Sequence, residues 1–215
     1  MALTRETVVQ AALRLLDKTG LDALSTRRLA QELGVAGPAL YWHFKNKREL
    51  LDHVAEAMVG PGMRALDAPA AKGDWESWLT ELGRGTRAGI LSRRDGARVL
   101  AGCRPARGMA GISFSNMVQV LQVAGFTEKD ARHAILIVGR YTLGWTMDEQ
   151  AAADRPHTVD PVEGFEFGLQ LLIAGLRSRL AVPDATIKAV PKRKPPPRAK
   201  RESLAANKKA RRKSR

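Results

Sequence analysis

Helix-starting and helix-stopping residues cut the first sixty positions into four short segments with apolar residues at helical spacing, and no alternating strand pattern fits between them. From Arg5 to Lys18 the residues Val8, Val9, Ala12, Leu13, Leu15 and Leu16 share a helical face, with Thr4 placed to cap the start and Gly20 to stop the end. Ser25 or Thr26 caps a second helix carrying Leu29, Ala30 and Leu33, and Gly34 closes it because glycine tolerates positive φ. Pro38 suits the first position of a third helix, where its missing N–H has no partner to lose. That helix is expected to continue through Ala39, Leu40, Tyr41, Trp42 and His43, about two turns. Asn46 followed by Glu49 makes a capping-box-like start for a fourth helix, whose Leu50, Leu51, Val54 and Met58 stripe is expected to end at Gly60-Pro61-Gly62.

A loop rich in Ala, Pro and Gly at 67–73 leads to Asp74, a good cap for a helix bearing Trp75, Trp78, Leu79 and Leu82. Further amphipathic segments cover roughly 95–101, 108–124 and 128–152, the last introduced by Thr127 with Asp130 three positions on. Asp160-Pro161-Val162-Glu163 is a helix start, after which Phe165, Leu169, Leu172, Ile173, Leu176 and Leu180 share a face. The chain therefore reads as all-α. The expected division is a three-helix head at 1–60, a second helical domain at 61–181, and a tail at 182–215 whose Lys, Arg, Pro, Ala and Ser offer almost nothing apolar to bury, which predicts disorder.

A formal charge of +14 suggests an anionic partner, but its location matters more than its total. Residues 188–215 hold thirteen Lys or Arg against one acid, Glu202, and so carry +12 of it. Specific DNA recognition must be argued from the body. The clusters around Lys192-Arg193-Lys194, Lys208-Lys209 and Arg211-Arg212-Lys213 read as a flexible arm that binds phosphates without sequence preference, or as a solubilising tail. Cys103 is the only cysteine, so an intrachain disulfide and a multi-cysteine zinc site are excluded. It reads as a packing residue, or as a redox switch with Arg104 favouring the thiolate. His43, His53, His133 and His157 have no metal-ligand spacing, and no glycine-rich loop follows a strand, so neither an enzyme nor a bound cofactor or metal is expected. No apolar run reaches the length of a membrane helix and the N-terminus lacks a signal-peptide pattern, which places the protein in the cytoplasm with no membrane partner.

The stretch from Leu24 to Phe44 is the most informative. Two short helices joined by a glycine turn, the second opening with small residues and ending in aromatic and basic ones, suit insertion into a DNA major groove. Gly37, Pro38 and Ala39 permit close approach to base edges, Tyr41, Trp42, His43 and Lys47 sit toward the helix end where phosphates can be met, and Arg27 and Arg28 at the start of the second helix can also reach DNA. Helix–glycine–helix pairs are common supersecondary units, so the pattern alone leaves DNA binding open.

The run Leu40-Tyr41-Trp42-His43-Phe44-Lys45-Asn46-Lys47, with Leu50-Leu51-Asp52, resembles the DNA-binding domain of the TetR family. Similarity to its tetracycline-repressor branch continues through Arg94-Asp95-Gly96, Gly102-Cys103-Arg104-Pro105 and Tyr141-Thr142-Leu143-Gly144, and covers residues 3 to about 181. The resemblance implies DNA contacts at Thr26, Arg27, Pro38, Tyr41, His43 and Lys47, and a homodimer in which the helices at 128–152 and 161–181 form a four-helix bundle. Two reading heads would then meet a palindromic operator in double-stranded DNA.

Departures from that branch are informative too. It holds magnesium-bound drug with a histidine, a threonine, an asparagine and a phenylalanine where this chain has Leu100, Cys103, Leu82 and Thr86. A leucine cannot ligate magnesium, so drug recognition by that route is not expected. Trp75, Trp78, Leu82, Thr86, Leu100, Cys103, Phe114, Met117, Trp145 and Met147, with Arg104 as polar handle, are expected to line a pocket for a hydrophobic or aromatic effector, neutral or anionic; the alternative is that they are ordinary core. In the reading helix, Gly37 and Ala39 replace a glutamine and a threonine, so base recognition should rest more on Arg27, thymine-methyl contact and DNA shape. The expected function is a ligand-responsive repressor. A sequence-indifferent architectural protein driven by the basic tail is the alternative.

Overall fold

A computed structural model of the chain describes residues 3–64, 66, 74–103, 114–152 and 159–181. The loop at 67–73, Arg104, residues 108–113, His157 and the basic tail, for which expectations were set out above, lie outside the described residues. Among the described residues all regular structure is helical: α1 (Arg5–Thr19), α2 (Thr26–Leu33), α3 (Gly37–Tyr41), α4 (Lys47–Arg64), α5 (Trp75–Leu91), α6 (Gly96–Gly102), α7 (Phe114–Val123), α8 (Glu128–Ala151) and α9 (Pro161–Ala181).

Local chemistry explains most of these boundaries. The Thr4 hydroxyl accepts from the Thr7 N–H at 3.1 Å, while the Thr7 hydroxyl accepts from the Thr4 N–H at 2.9 Å, a reciprocal cap for α1. Ser25, not Thr26, caps α2 by accepting from the Arg28 N–H at 3.2 Å. Gly34 ends α2 at φ 65°, a left-handed conformation that costs glycine little. Asp74, Thr127 and Asp160 accept first-turn N–H groups at the starts of α5, α8 and α9.

Two expected helix ends differ. α3 stops at Tyr41, leaving Trp42 as its cap and His43 outside, because Phe44 turns inward to bury its ring against His53, at 5.6 Å between centroids, and beneath Arg5. The same turn frees Asn46 to cap α4 through the Glu49 N–H at 2.9 Å. At the other end α4 does not stop at Gly60-Pro61-Gly62 but runs through Pro61 to Arg64. Pro61 removes one backbone hydrogen bond near the helix end, a local cost that packing outweighs. The expected boundary between positions 60 and 61 thus falls inside α4.

That packing is a close crossing of α4 and α5. A Cβ built on Gly62 would lie 3.0 Å from the Gly85 Cα, and one on Gly89 would lie 2.7 Å from the Met58 carbonyl oxygen and 2.9 Å from the Val59 Cα. Met63, just past the crossing, is fully buried. Leu50 and Val54 of α4 meanwhile share the head's core with Val8, Leu16, Leu24, Leu29 and Leu40, so α4 serves both the head and the helices behind it.

α8 and α9 pack by a second pairing of large on small. The rings of Tyr141 and Trp145 occupy the space where Cβ atoms on Gly168 and Gly164 would stand. The Tyr141 hydroxyl donates to the Phe165 carbonyl at 2.9 Å, and the Trp145 indole N–H donates to the Pro161 carbonyl at 2.9 Å. Each buried polar tip therefore has a partner. Arg87 of α5 adds a largely buried ion pair with Glu149 of α8 at 2.5 Å and lies over the Phe165 ring.

A methyl group at Gly89 has backbone, not a flexible side chain, to push against. Gly89→Ala should therefore destabilise the protein by about 1–3 kcal/mol in urea unfolding, the usual cost of overpacking a tight contact.

Candidate DNA interface and effector cavity

The exposed face of the head is built by α2 and α3. Arg27, Arg28, Pro38 and Lys47 are exposed, Thr26, Gly37, Ala39 and His43 partly so. Tyr41 is 58 % exposed and Trp42 89 %, which removes both from the core and leaves two aromatic rings at the surface beside basic groups. A shallow groove of about 370 Å³ between the helices brings together Thr26, Arg27, Gly37, Pro38 and Tyr41 with Gln31, a polar residue on the outer side of α2. His43 contributes its backbone: its carbonyl accepts from the Arg5 guanidinium at 3.1 Å, which ties the end of α3 to α1. Arg28 reaches back to the Ala23 carbonyl at 3.4 Å and stiffens the start of α2. Arginine, tyrosine and small residues gathered along one groove, with Lys47 exposed at the start of α4, suit phosphate contact and close approach to bases.

Behind the head lies a cavity of about 480 Å³ between α5, α6, α7 and α8. Leu82 and Thr86 of α5, Leu100 and Cys103 at the end of α6, and Phe114 and Met117 of α7 are in its wall, as is Met63 of α4. Its α8 wall was not anticipated: Ile135, Val138, Gly139, Arg140, Thr142 and Leu143. Those positions show in the sequence as an ordinary helical stripe, and a stripe does not reveal whether the opposite side is protein or a void. The expected tryptophans are elsewhere. Trp75 is buried edge-on against Phe126 at 5.0 Å, Trp78 donates to the Leu66 carbonyl at 3.4 Å, and Trp145 is committed to α9. Met147 is 43 % exposed on the outside of α8, and Arg104 is outside the described residues.

The wall is almost wholly apolar. Leu82 and Leu100 present only carbon where a hard cation needs oxygen or imidazole, so these side chains do not fit a magnesium ion. Burial pushes the Cys103 thiol up to about 12, and the nearby Asp52 carboxylate adds to the effect while Arg48 opposes it weakly. Its S–H faces the Val99 and Leu51 carbonyls at 3.3 and 3.5 Å. A thiol held neutral in this way suits a packing group, and Arg104, on which the redox reading rests, lies outside the described residues.

α6 links cavity and head. At its end, beside Leu100 and Cys103, the Gly102 carbonyl accepts from the Arg48 guanidinium of α4 at 2.7 Å. At its start Asp95 adopts φ 56°, unusual for a residue with a side chain, and its carboxylate accepts the Leu21 N–H at 2.8 Å. Gly96 follows because a Cβ there would lie 2.1 Å from the Ile90 carbonyl oxygen. Arg98 pairs with Asp22 at 2.7 Å and Arg93 with Asp17 at 2.7 Å. Hydrogen bonding to Arg98 holds the Asp22 carboxyl below its usual range.

Comparison with known proteins agrees with this geometry. Residues 8–54 match the model of bacterial regulatory proteins of the tetR family, and residues 68–161 match the tetracyclin repressor-like C-terminal domain. The chain is 39% identical over 199 residues to the class A tetracycline repressor protein from transposon 1721 of Escherichia coli, covering 82% of this chain and 91% of that protein. A crystal structure of a substituted TetR from Acinetobacter baumannii AYE in complex with minocycline superimposes with a TM-score of 0.75 at 40% identity, covering 84% of this chain and all of that one. BioQ with its natural double-stranded DNA operator superimposes with a TM-score of 0.64 at 35% identity, covering 81% of this chain and 98% of that one. With the head, the cavity and these relatives in agreement, the chain belongs to the tetR family of bacterial regulatory proteins and is a DNA-binding transcriptional regulator.

Proposed function

We propose that this protein is a repressor that sits on a palindromic operator as a homodimer and is released by a small apolar effector taken into the cavity behind the head. The observation that carries this reading is the pairing of two features through one helix. The cavity wall contains the end of α6, and the same helix is tied at both ends to elements of the head. A ligand that displaces Leu100 or Cys103 disturbs the hydrogen bond from Arg48 of α4 to the Gly102 carbonyl or that from the Leu21 N–H to Asp95. Linkage then requires the ligand to prefer the arrangement that DNA disfavours, with the same coupling, commonly about 1–3 kcal/mol, acting in both directions.

On this reading Arg27, Tyr41, Trp42 and Lys47 contact the duplex, residues 1–60 act as the reading head and 61–181 as the effector and dimer region. Dimerisation is supported by apolar side chains exposed on α8 and α9: Leu136, Ile137 and Met147 on the first, Val162, Phe167 and Leu171 on the second. Leu136 and Met147 lie on one side of α8, and Leu136 also edges the cavity, so a second copy would bury this face and narrow the mouth. Among the described residues no helix is long and apolar enough to cross a membrane and no three His, Cys, Asp or Glu side chains gather as a metal site. A cytoplasmic, non-enzymatic role agrees with the regulators it resembles.

Selective enrichment of random duplex DNA, at about 150 mM salt where phosphate attraction is screened, tests the reading directly. The full chain and one ending at Val182 should enrich the same palindrome. No motif, with all binding lost on removal of the tail, would instead mark a sequence-indifferent architectural protein. On the selected operator, Arg27→Ala should cost about 1–3 kcal/mol of affinity, while Lys47→Ala should weaken binding to all duplexes and lower the salt slope by about 1 per subunit. Neither should move the thermal midpoint, since both side chains are exposed. Phe167→Glu should convert the dimer to monomer in sedimentation equilibrium and abolish operator binding at nanomolar protein.

A further inference from the structure

We infer that the effector is an amphipathic acid, with an apolar body inside the cavity and a singly charged carboxylate at its mouth, held by the guanidinium of Arg140 on α8. This rests on the reading of the cavity as the effector site and names the class of its occupant.

Arg140 is the one charged side chain in the described wall, and it stands exposed at the edge. The other polar groups there do not set a charge. The Thr86 hydroxyl and the Cys103 thiol are neutral, and the Thr142 hydroxyl oxygen is enclosed by protein. Asp52, which acts on the Cys103 thiol, stands outside the wall, as does Arg48. The residues that join Cys103 to Phe114 lie outside the described residues, yet their two neighbours are both in this wall, and in sequence they hold Arg104 and Arg107 and no acid. Whatever their course, they bring no negative charge. The charged side chains of the described wall and of the segment joining its ends are therefore all positive, which attracts an anion and repels a cation.

Arg140 also has no acceptor among the described residues. Every other described arginine from Trp75 to Ala181 gives its guanidinium to a carboxylate or a backbone carbonyl, Arg87 and Arg179 reaching Glu149 and Asp130 on α8 itself. Gly139, beside Arg140 in the wall, leaves open space where a Cβ would stand. An arginine lays its methylene stem along apolar surface and keeps its guanidinium at the water's edge, where the planar fork offers two N–H groups to the two oxygens of a carboxylate. A carboxylate set deep among Leu82, Leu100 and Met117 would carry a heavy dehydration cost, whereas one held at the mouth keeps water on its free side. One guanidinium balances one negative charge, which favours a carboxylate over a doubly charged phosphate.

The probes are 4-phenylbutanoate, 6-phenylhexanoate and 8-phenyloctanoate, each beside its primary amide, titrated by calorimetry into the full-length protein at about 150 mM salt, where attraction to the basic tail is screened. The wild type should bind at least one acid about tenfold more tightly than its amide, a charge-assisted pair discounted for its exposure. Arg140→Met should abolish or reverse that order, because the carboxylate then keeps its dehydration cost without its partner. Arg140→Lys, which keeps the charge but not the fork, should keep part of the preference. Arg140 lies one turn past Leu136, on the side of α8 where the second copy is placed, so a carboxylate of that copy is the rival partner. Equal binding of acids and amides by the wild type, a preference that survives in Arg140→Met, or dissociation of the Arg140→Met dimer in sedimentation equilibrium overturns the inference and leaves the effector cavity standing. Binding of no probe overturns both.

Discussion

The close crossing of α4 and α5 joins what would otherwise be two separate sets of helices. Three glycines, Gly62, Gly85 and Gly89, remove side chains where the two backbones meet, so α4 lies against α5 with almost nothing between. α4 enters that crossing already committed to the head through Leu50 and Val54, and leaves it through Met63, a side chain in the cavity wall. One helix therefore carries a rigid connection from the DNA-facing unit to the site behind it. The helical course through Pro61 follows from this, since ending the helix at the proline would remove Met63 from its buried position and open the crossing.

Polar atoms in the second helical layer are distributed with the same economy. Trp78, Tyr141 and Trp145 each spend a polar tip on a backbone carbonyl, and those bonds place their rings against helix ends and glycine gaps. These aromatics act as structural wedges, which is why they do not meet in the cavity. The described wall of the cavity is left mostly to aliphatic, thioether and phenyl groups, with Thr86, Cys103 and Arg140 among the few polar side chains. A site so lined discriminates mainly by shape and by the few polar atoms it contains, and a histidine absent at Leu100 cannot be compensated by anything else in the described wall.

The head makes the opposite choice. Trp42 and Tyr41 stand in solvent although both are large and apolar enough to bury, and Arg5 and Phe44 hold the backbone that presents them. Exposing an indole forgoes hydrophobic stabilisation that the fold could have used, and a surface that does so is shaped for a partner. With most of the net charge in the tail, recognition by this head depends on the placement of a few groups more than on bulk attraction.

Caps, stops and periodicity made the helical class and most helix limits legible from the residues alone, because a Ser, Thr, Asp or Gly acts on backbone groups within one turn of itself. Thr4, Gly20, Ser25, Gly34, Asp74, Thr127 and Asp160 all act at that range. The resemblance of the run Leu40–Lys47 with Leu50-Leu51-Asp52 added the family, because it fixes core positions such as Leu40 and Phe44 together with exposed ones such as Tyr41 and Trp42. Where local and distant forces compete, the sequence was insufficient: α3 ends early because Phe44 finds a core, and α4 continues past Pro61 because Gly85 and Gly89 await it on another helix. The cavity lay furthest from view. A helical stripe records that a side chain is turned inward, but only the packing of α5, α6, α7 and α8 decided that Leu82, Leu100 and Met117 face a space while Trp75 and Trp145 face protein, because a void belongs to the arrangement of several helices and to no single residue.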